Sequence, residues 1–256
     1  MRGFGVFWKK EMTELIRTWR GFLLGAVAVI FGILNPLIAK ITPVLFEKYA
    51  DDFKKQGIIV NKIEVSAKDS WAQFDKNYLM FLIVAVAVFS GSYVTEYTKG
   101  TLIPLLTKGL SRTSVVLSKF LVQLMVWTAY FGICFGITWG YTVYFWDNSV
   151  MRHYVFMGFC FWLFGVYLIA AMAFFSSFLR SAIQVLLGVG GIYFILSMMG
   201  MLKDIAKVLP TYLTGSASLL TGETVPGDYL YATLVATGAS CLFVILAVVI
   251  TRRRKL

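Results

Sequence analysis

Histidine occurs once in this chain, at His153. That excludes a His-Glu-x-x-His zinc site and a Ser–His catalytic pair of the familiar kind. No Gly-x-x-x-x-Gly-Lys-Ser/Thr run is present, so the chain does not itself cradle nucleotide phosphates. The three cysteines, Cys134, Cys160 and Cys241, all lie inside apolar runs. An odd number without metal-ligand spacing gives neither a disulfide framework nor a metal site, and they read as small buried hydrophobes. Charge is scarce too, at 14% of residues, and the cores of the long apolar runs hold none. Carriers driven by protons or sodium usually place ionisable groups along the path, so this absence argues against that class. Internal repeats and low-complexity tracts are also missing.

What the chain has is apolar sequence, 59% of 256 residues. A soluble domain of this size does not tolerate that share, so its solvent is a bilayer. Spanning takes about 20 apolar residues. Six stretches qualify: 22–41, 78–94, 120–145, 154–179, 182–202 and 230–251. The second is short and is expected to extend by a turn; the third is long enough to tilt. Only Arg180 and Ser181 separate the fourth from the fifth, which predicts a tight helical hairpin. The fold class expected is an all-α integral membrane protein with one transmembrane domain, 1–256. The first span follows without a small-residue cleavage pattern and is expected to serve as a retained insertion signal.

The net charge of +11 invites a nucleic-acid reading, but its distribution gives another answer. With the N-terminus inside, the inner segments hold 14 bases and three acids, Glu11, Glu14 and Glu96. The outer segments, 42–77, the turn at His153 and 203–229, hold ten of each once Lys40 at the outer end of the first span is counted with them. The whole excess is then cytoplasmic, the positive-inside pattern. Both termini are expected in the cytoplasm, with Arg252-Arg253-Arg254-Lys255 anchored on anionic lipid. The location expected is the plasma membrane, with the bilayer and no nucleic acid as partner.

Residues 1–20 read as an interfacial elbow helix. Phe4, Phe7, Trp8, Met12, Leu15, Ile16 and Trp19 share one side, and Lys9, Lys10, Thr13, Arg17 and Arg20 the other. Glu11 falls on the apolar side, where it either pairs with a base of segment 95–119 or snorkels to water. In 42–77, Gly57-Ile58-Ile59-Val60 and Ile63-Glu64-Val65 suggest a short strand or hairpin. Segment 203–229, rich in proline and glycine, reads as one or two short amphipathic pieces returning to the membrane surface.

Inside the spans, Gly132, Gly136 and Gly140 form a flat stripe on one helix face. Such a stripe serves helix packing, within the chain or against a second copy. Trp139, Tyr141, Tyr144 and Trp146 make an aromatic belt at the outer end of that span. Asn35-Pro36 interrupts the first span: proline frees a carbonyl and asparagine in lipid needs a partner, on a neighbouring helix or along a path. Gln184, Ser197, Met198, Met199 and Met201 give the fifth span a soft face suited to core filling or to varied amphipathic ligands.

Segment 95–119 stands apart as polar and built to meet a soluble partner. Thr101 can cap a short helix, Pro104 suits its first turn, Leu102, Leu105 and Leu106 give it an apolar face, and Gly109 ends it. Glu96 and Arg112 or Lys119 sit at neighbouring span ends, where they either pair or remain hydrated.

The order of these parts, with Glu96-Tyr97-x-x-Gly100-Thr101-Leu102, then Leu105-Leu106, Ser111-Arg112 and Lys119-Phe120, resembles the permease subunits of type-2 ABC exporters. The topological resemblance covers nearly the whole chain; its sequence signature is confined to about 25 residues. It implies a half-transporter that pairs with a second permease, a copy or a paralogue, and with separate P-loop ATPase subunits carrying ATP and Mg. This chain would bear no cofactor and no catalysis of its own. Glu96, Gly100, Thr101, Leu102, Pro104, Leu105, Leu106 and Arg112 would couple to the ATPase. The first, second and fifth spans would line the cavity, which points to Asn35, Ser90, Ser92, Gln184 and Met198. Compact members export bacteriocins, lantibiotics and peptide toxins such as phenol-soluble modulins. A reading outside this family is a nucleotide-independent pore or scaffold subunit.

Overall fold

A computed structural model describes residues 4–50, 64–98, 100, 104, 107, 109–147 and 151–253. It is all-helical, with no strand among the described residues. In chain order, α1 is Phe4–Arg17, α2 Trp19–Lys48, α3 Ala67–Thr98, α4 Arg112–Phe145, α5 Tyr154–Ser176 and α6 Ala182–Met199. The short α7, Lys203–Ala206, leads into two 3₁₀ segments, Pro210–Leu219 and Pro226–Tyr229, and then α8, Leu230–Arg253. Six of these helices, α2, α3, α4, α5, α6 and α8, are long and apolar enough to cross a membrane. The chain is a multi-pass membrane protein.

Four spans run longer than the sequence reading, while the fourth ends at Ser176 and the fifth at Met199, each short of the expected end. The helix expected over 78–94 starts at Ala67, three turns earlier. Its first turns carry Asp69, Asp75 and Lys76, which hydropathy discounts, yet their backbone continues the helix because Trp71, Phe74 and Tyr78 on the same face are buried. Of the strand suggested at 57–65, residues 57–63 lie outside the described residues, and Glu64 and Val65 have no regular structure.

The centre of the bundle is α5. It is apolar all round, and 78% of its spanning window is buried, against 11% for α6. A helix without a polar face buries best when surrounded, and α5 packs against α3, α4, α6, α8 and the first 3₁₀ segment. The core beside it is aromatic. Trp71, Phe74, Tyr78 and Phe81 of α3 meet Trp127, Phe131 and Phe135 of α4 and Phe161 of α5, mostly edge-to-face or tilted. Helices approach at glycines. A Cβ on Gly165 would lie 2.2 Å from the Trp127 ring, and one on Gly158 2.7 Å from Phe135.

The Gly132-Gly136-Gly140 stripe takes no part in this packing. All three glycines are exposed, and an added Cβ at each would meet nothing within 4 Å. Packing inside the described chain is therefore not their role. The close contacts fall on Gly32, Gly158, Gly165 and Gly188, whose neighbours are large side chains of other helices.

Candidate functional site

Four chain segments gather at one end of the bundle: α1, the end of α3, the start of α4 and the end of α8. Both ends of the described chain lie there. Thr18 is extended and makes the corner between α1 and α2. The corner is tight, since a Cβ on Gly21 would meet the Leu15 carbonyl at 2.6 Å. It folds α1 back so that its apolar side lies against α4. Phe7 is thereby buried, and Glu11, one turn on, is buried with it at 8% exposure.

Glu11 is paired, not left to water alone. Its Oε2 accepts from Lys119 Nζ at 2.9 Å, and Lys119 is only 2% exposed. The same ammonium donates to the Ser92 carbonyl at 3.0 Å and lies 5.7 Å from the centre of the Phe7 ring. Lys10 holds the other carboxylate oxygen at 3.3 Å. Next to the pair, Gln123 Nε2 donates to Ser92 Oγ at 2.6 Å. One buried lysine thus ties α1, α3 and α4 together. Removing two charges from water is costly, and the strength of such a pair rests on close geometry and on the added hydrogen bonds, both present here. The adjoining cavity, lined by Leu15, Thr18, Arg20 and Val88, is about 30 Å³, room for a water and not for a cargo.

A second clasp joins α4 to α8. Ser111 caps α4 by accepting from the Ser114 N–H at 3.1 Å. In the first turn beyond it, Arg112 donates to the Thr251 carbonyl at 3.4 Å, near the negative end of α8. Arg252 returns the contact by donating to Thr113 Oγ1 at 2.9 Å.

Between α3 and α4 runs the segment singled out from the sequence. Gly100 has φ +66° and Gly109 φ +91°, so both bends use backbone that side-chain-bearing residues rarely adopt. Pro104 and Thr107 are helical and exposed, with Thr107 Oγ1 donating to the Pro104 carbonyl at 3.0 Å. Thr101, Leu102, Leu105 and Leu106 lie outside the described residues, as do the Glu96 side chain and its pairing.

The five candidate cavity residues do not come together. Asn35 is 1% exposed, and its amide is committed inside the chain. It donates to Thr138 Oγ1 at 3.0 Å and accepts from Asn77 Nδ2 at 2.8 Å. The Thr138 hydroxyl donates in turn to the Gly32 carbonyl at 3.2 Å, the acceptor that Pro36 leaves without its helical donor. Asn35 thus mends a proline break across three helices. Ser90 is buried and bonds its own helix at Ala87. Ser92 belongs to the Lys119 joint. Gln184 and Met198 are exposed at opposite ends of α6.

Sequence reasoning left the partner of Glu11 open and did not single out Gln123, Thr113 or Arg252 as contacts. A buried acid on an amphipathic helix was the one signal for the first; the α4–α8 clasp has none. No group of three or more His, Cys, Asp or Glu side chains able to hold a metal occurs among the described residues. The arrangement offers a mechanical link from segment 95–119 to three other elements.

The family model described as ABC-2 family transporter protein matches residues 6–249. No curated protein matches the chain. The chain belongs to the ABC-2 transporter family, and is the membrane subunit of an ABC transporter that partners with an ATPase subunit.

Proposed function

We propose that this membrane subunit is the permease of an ATP-driven exporter that moves an amphipathic or apolar cargo, such as a peptide toxin, bacteriocin or drug, outward. Both termini face the cytoplasm, as the basic excess at that end requires. The ATPase binds ATP and Mg, and docks on segment 95–119 through Gly100, Leu102 and Leu105. Two permeases, copies or paralogues, form the path between them, with Gln184 and Met198 of the exposed α6 facing it.

The observation that carries this reading is the linkage at the basic end. Segment 95–119 opens directly into α4, and α4 is fastened to α1 by Lys119–Glu11 and to α8 by Arg112 and Arg252. A push on the segment therefore reaches three helices as one unit. That is what a chain without its own ATPase motif needs in order to receive work from a soluble partner. The spans carry little buried charge on the cargo side, which suits an apolar cargo.

The test is co-purification from the native membrane in gentle detergent. The wild-type chain is expected to bring down a P-loop ATPase in stoichiometric amount. Substituting Gly100→Asp, Leu102→Asp and Leu105→Asp is expected to release it while the chain still inserts. Retained association of that variant overturns the docking role. Recovery of the chain alone across several detergents, with conductance in pure liposomes, would make it a nucleotide-independent pore.

A further inference from the structure

At the end of the bundle away from the basic cluster, α6 stops at Met199 and the chain turns through α7 into the first 3₁₀ segment. The turn encloses an open cavity of about 320 Å³, lined by Ser197, Gly200, Met201, Thr211, Tyr212 and Thr214. Two observations define its chemistry. The first is that its lining bears hydroxyls and no charge. Thr211 and Thr214 use theirs on the Leu196 and Thr211 carbonyls, at 3.4 and 2.8 Å. Ser197 Oγ and Tyr212 Oη have no partner among the described residues, so two O–H donors are free. Tyr212 is held by its ring, 4.8 Å from that of Tyr229.

The second observation is the rim. Met201, Leu202, Ile205 and Val208 are exposed, Met201 at 75%. They alternate with exposed charge: Asp204 lies on α7, and Lys207 pairs loosely with Asp228 at 3.9 Å. Apolar side chains without a protein partner face hydrocarbon, and charges seek the headgroup layer. A cavity flanked by both lies between the two, at the depth where phospholipids carry their ester carbonyls. Those carbonyls accept hydrogen bonds and bear no charge, which matches two free donors in an uncharged lining.

We infer that this cavity is a phospholipid site, in which Ser197 and Tyr212 donate to the ester carbonyls of one lipid while its acyl chains lie along Met201, Leu202 and Ile205. Its volume falls at the lower end of ligand cavities, roughly 300–1,000 Å³, which suits the glycerol–ester part of a lipid whose tails stay in the membrane. The inference needs only a membrane-embedded chain and does not rest on the direction of transport or the cargo.

The experiment compares two lipids that differ only in the carbonyl. The full chain is reconstituted in an equal mixture of diacyl phosphatidylglycerol and its dialkyl ether analogue of the same chain length, then stripped in detergent until about one lipid per chain remains. Native mass spectrometry reads which one. Two neutral hydrogen bonds predict that the diacyl form is retained about tenfold over the ether. Ser197→Ala with Tyr212→Phe, which keeps the ring stack, is expected to abolish that preference with unchanged helix content. Equal retention of the two lipids by the wild type, or retention of neither, overturns the inference without any variant. An undiminished preference in the double variant overturns the assignment to this cavity.

Discussion

Lys119→Met isolates the joint between α1 and α4. Methionine keeps most of the volume and length of the lysine stem and removes the charge. Glu11, 8% exposed, then faces buried surroundings with Lys10 as its remaining described ion partner, a side chain that is itself 40% exposed. Removing one partner from a buried ion pair costs about 3–5 kcal/mol, because the other charge stays desolvated. The Ser92 carbonyl loses its donor as well. For a chain of this size that corresponds to a fall on the order of 10 °C in melting temperature. Tryptophan fluorescence of the detergent-purified protein reads it. The decisive comparison is the double variant with Glu11→Leu added. It removes both charges, and replacing a buried pair by apolar groups is often close to neutral. The double variant is therefore expected to melt near the wild type and well above Lys119→Met alone. A single variant that melts with the wild type, or a double variant as unstable as the single, refutes the pairing argument.

Gly165→Ala is expected to destabilise by about 1–3 kcal/mol and to shift tryptophan emission, since its Cβ would lie 2.2 Å from the Trp127 ring. Gly136→Ala on the open stripe is expected to leave the same melt within about 0.5 kcal/mol; equal losses at the two glycines would sink the distinction between them. Asn35→Ala removes two cross-helix hydrogen bonds and is expected to lower stability by about 1–2 kcal/mol. Thermal melts check this, and an unchanged melt would show that the Asn35–Thr138–Asn77 chain does not brace the Pro36 break.

The sequence by itself determined the solvent, the number of spans and the bend at Gly109. Six runs of about 20 apolar residues admit helices alone in a bilayer, because every backbone group must be satisfied within its own segment. That requirement needs no knowledge of neighbours, so it is readable locally. Gly109 was readable for the same reason: a left-handed bend is a property of one residue. Even the need of Asn35 for a partner was plain, since an amide in lipid must be answered.

Only the tertiary structure decided who answers. Lys119 lies 108 residues from Glu11, and Thr138 103 from Asn35, so both pairings depend on which helix faces which. The glycines show the same limit most clearly. The regular spacing of Gly132, Gly136 and Gly140 marks a face but not its neighbour, and that face is open. Gly165, without a comparable repeat, sits under Trp127, because close approach is set by the large side chain on the opposing helix. The early start of α3 follows likewise: Asp69, Asp75 and Lys76 weaken its hydropathy, while Trp71, Phe74 and Tyr78 bury its inner face against α4 and α5. Hydropathy sums a segment's own residues, whereas packing depends on two surfaces, and the second surface is written elsewhere in the chain.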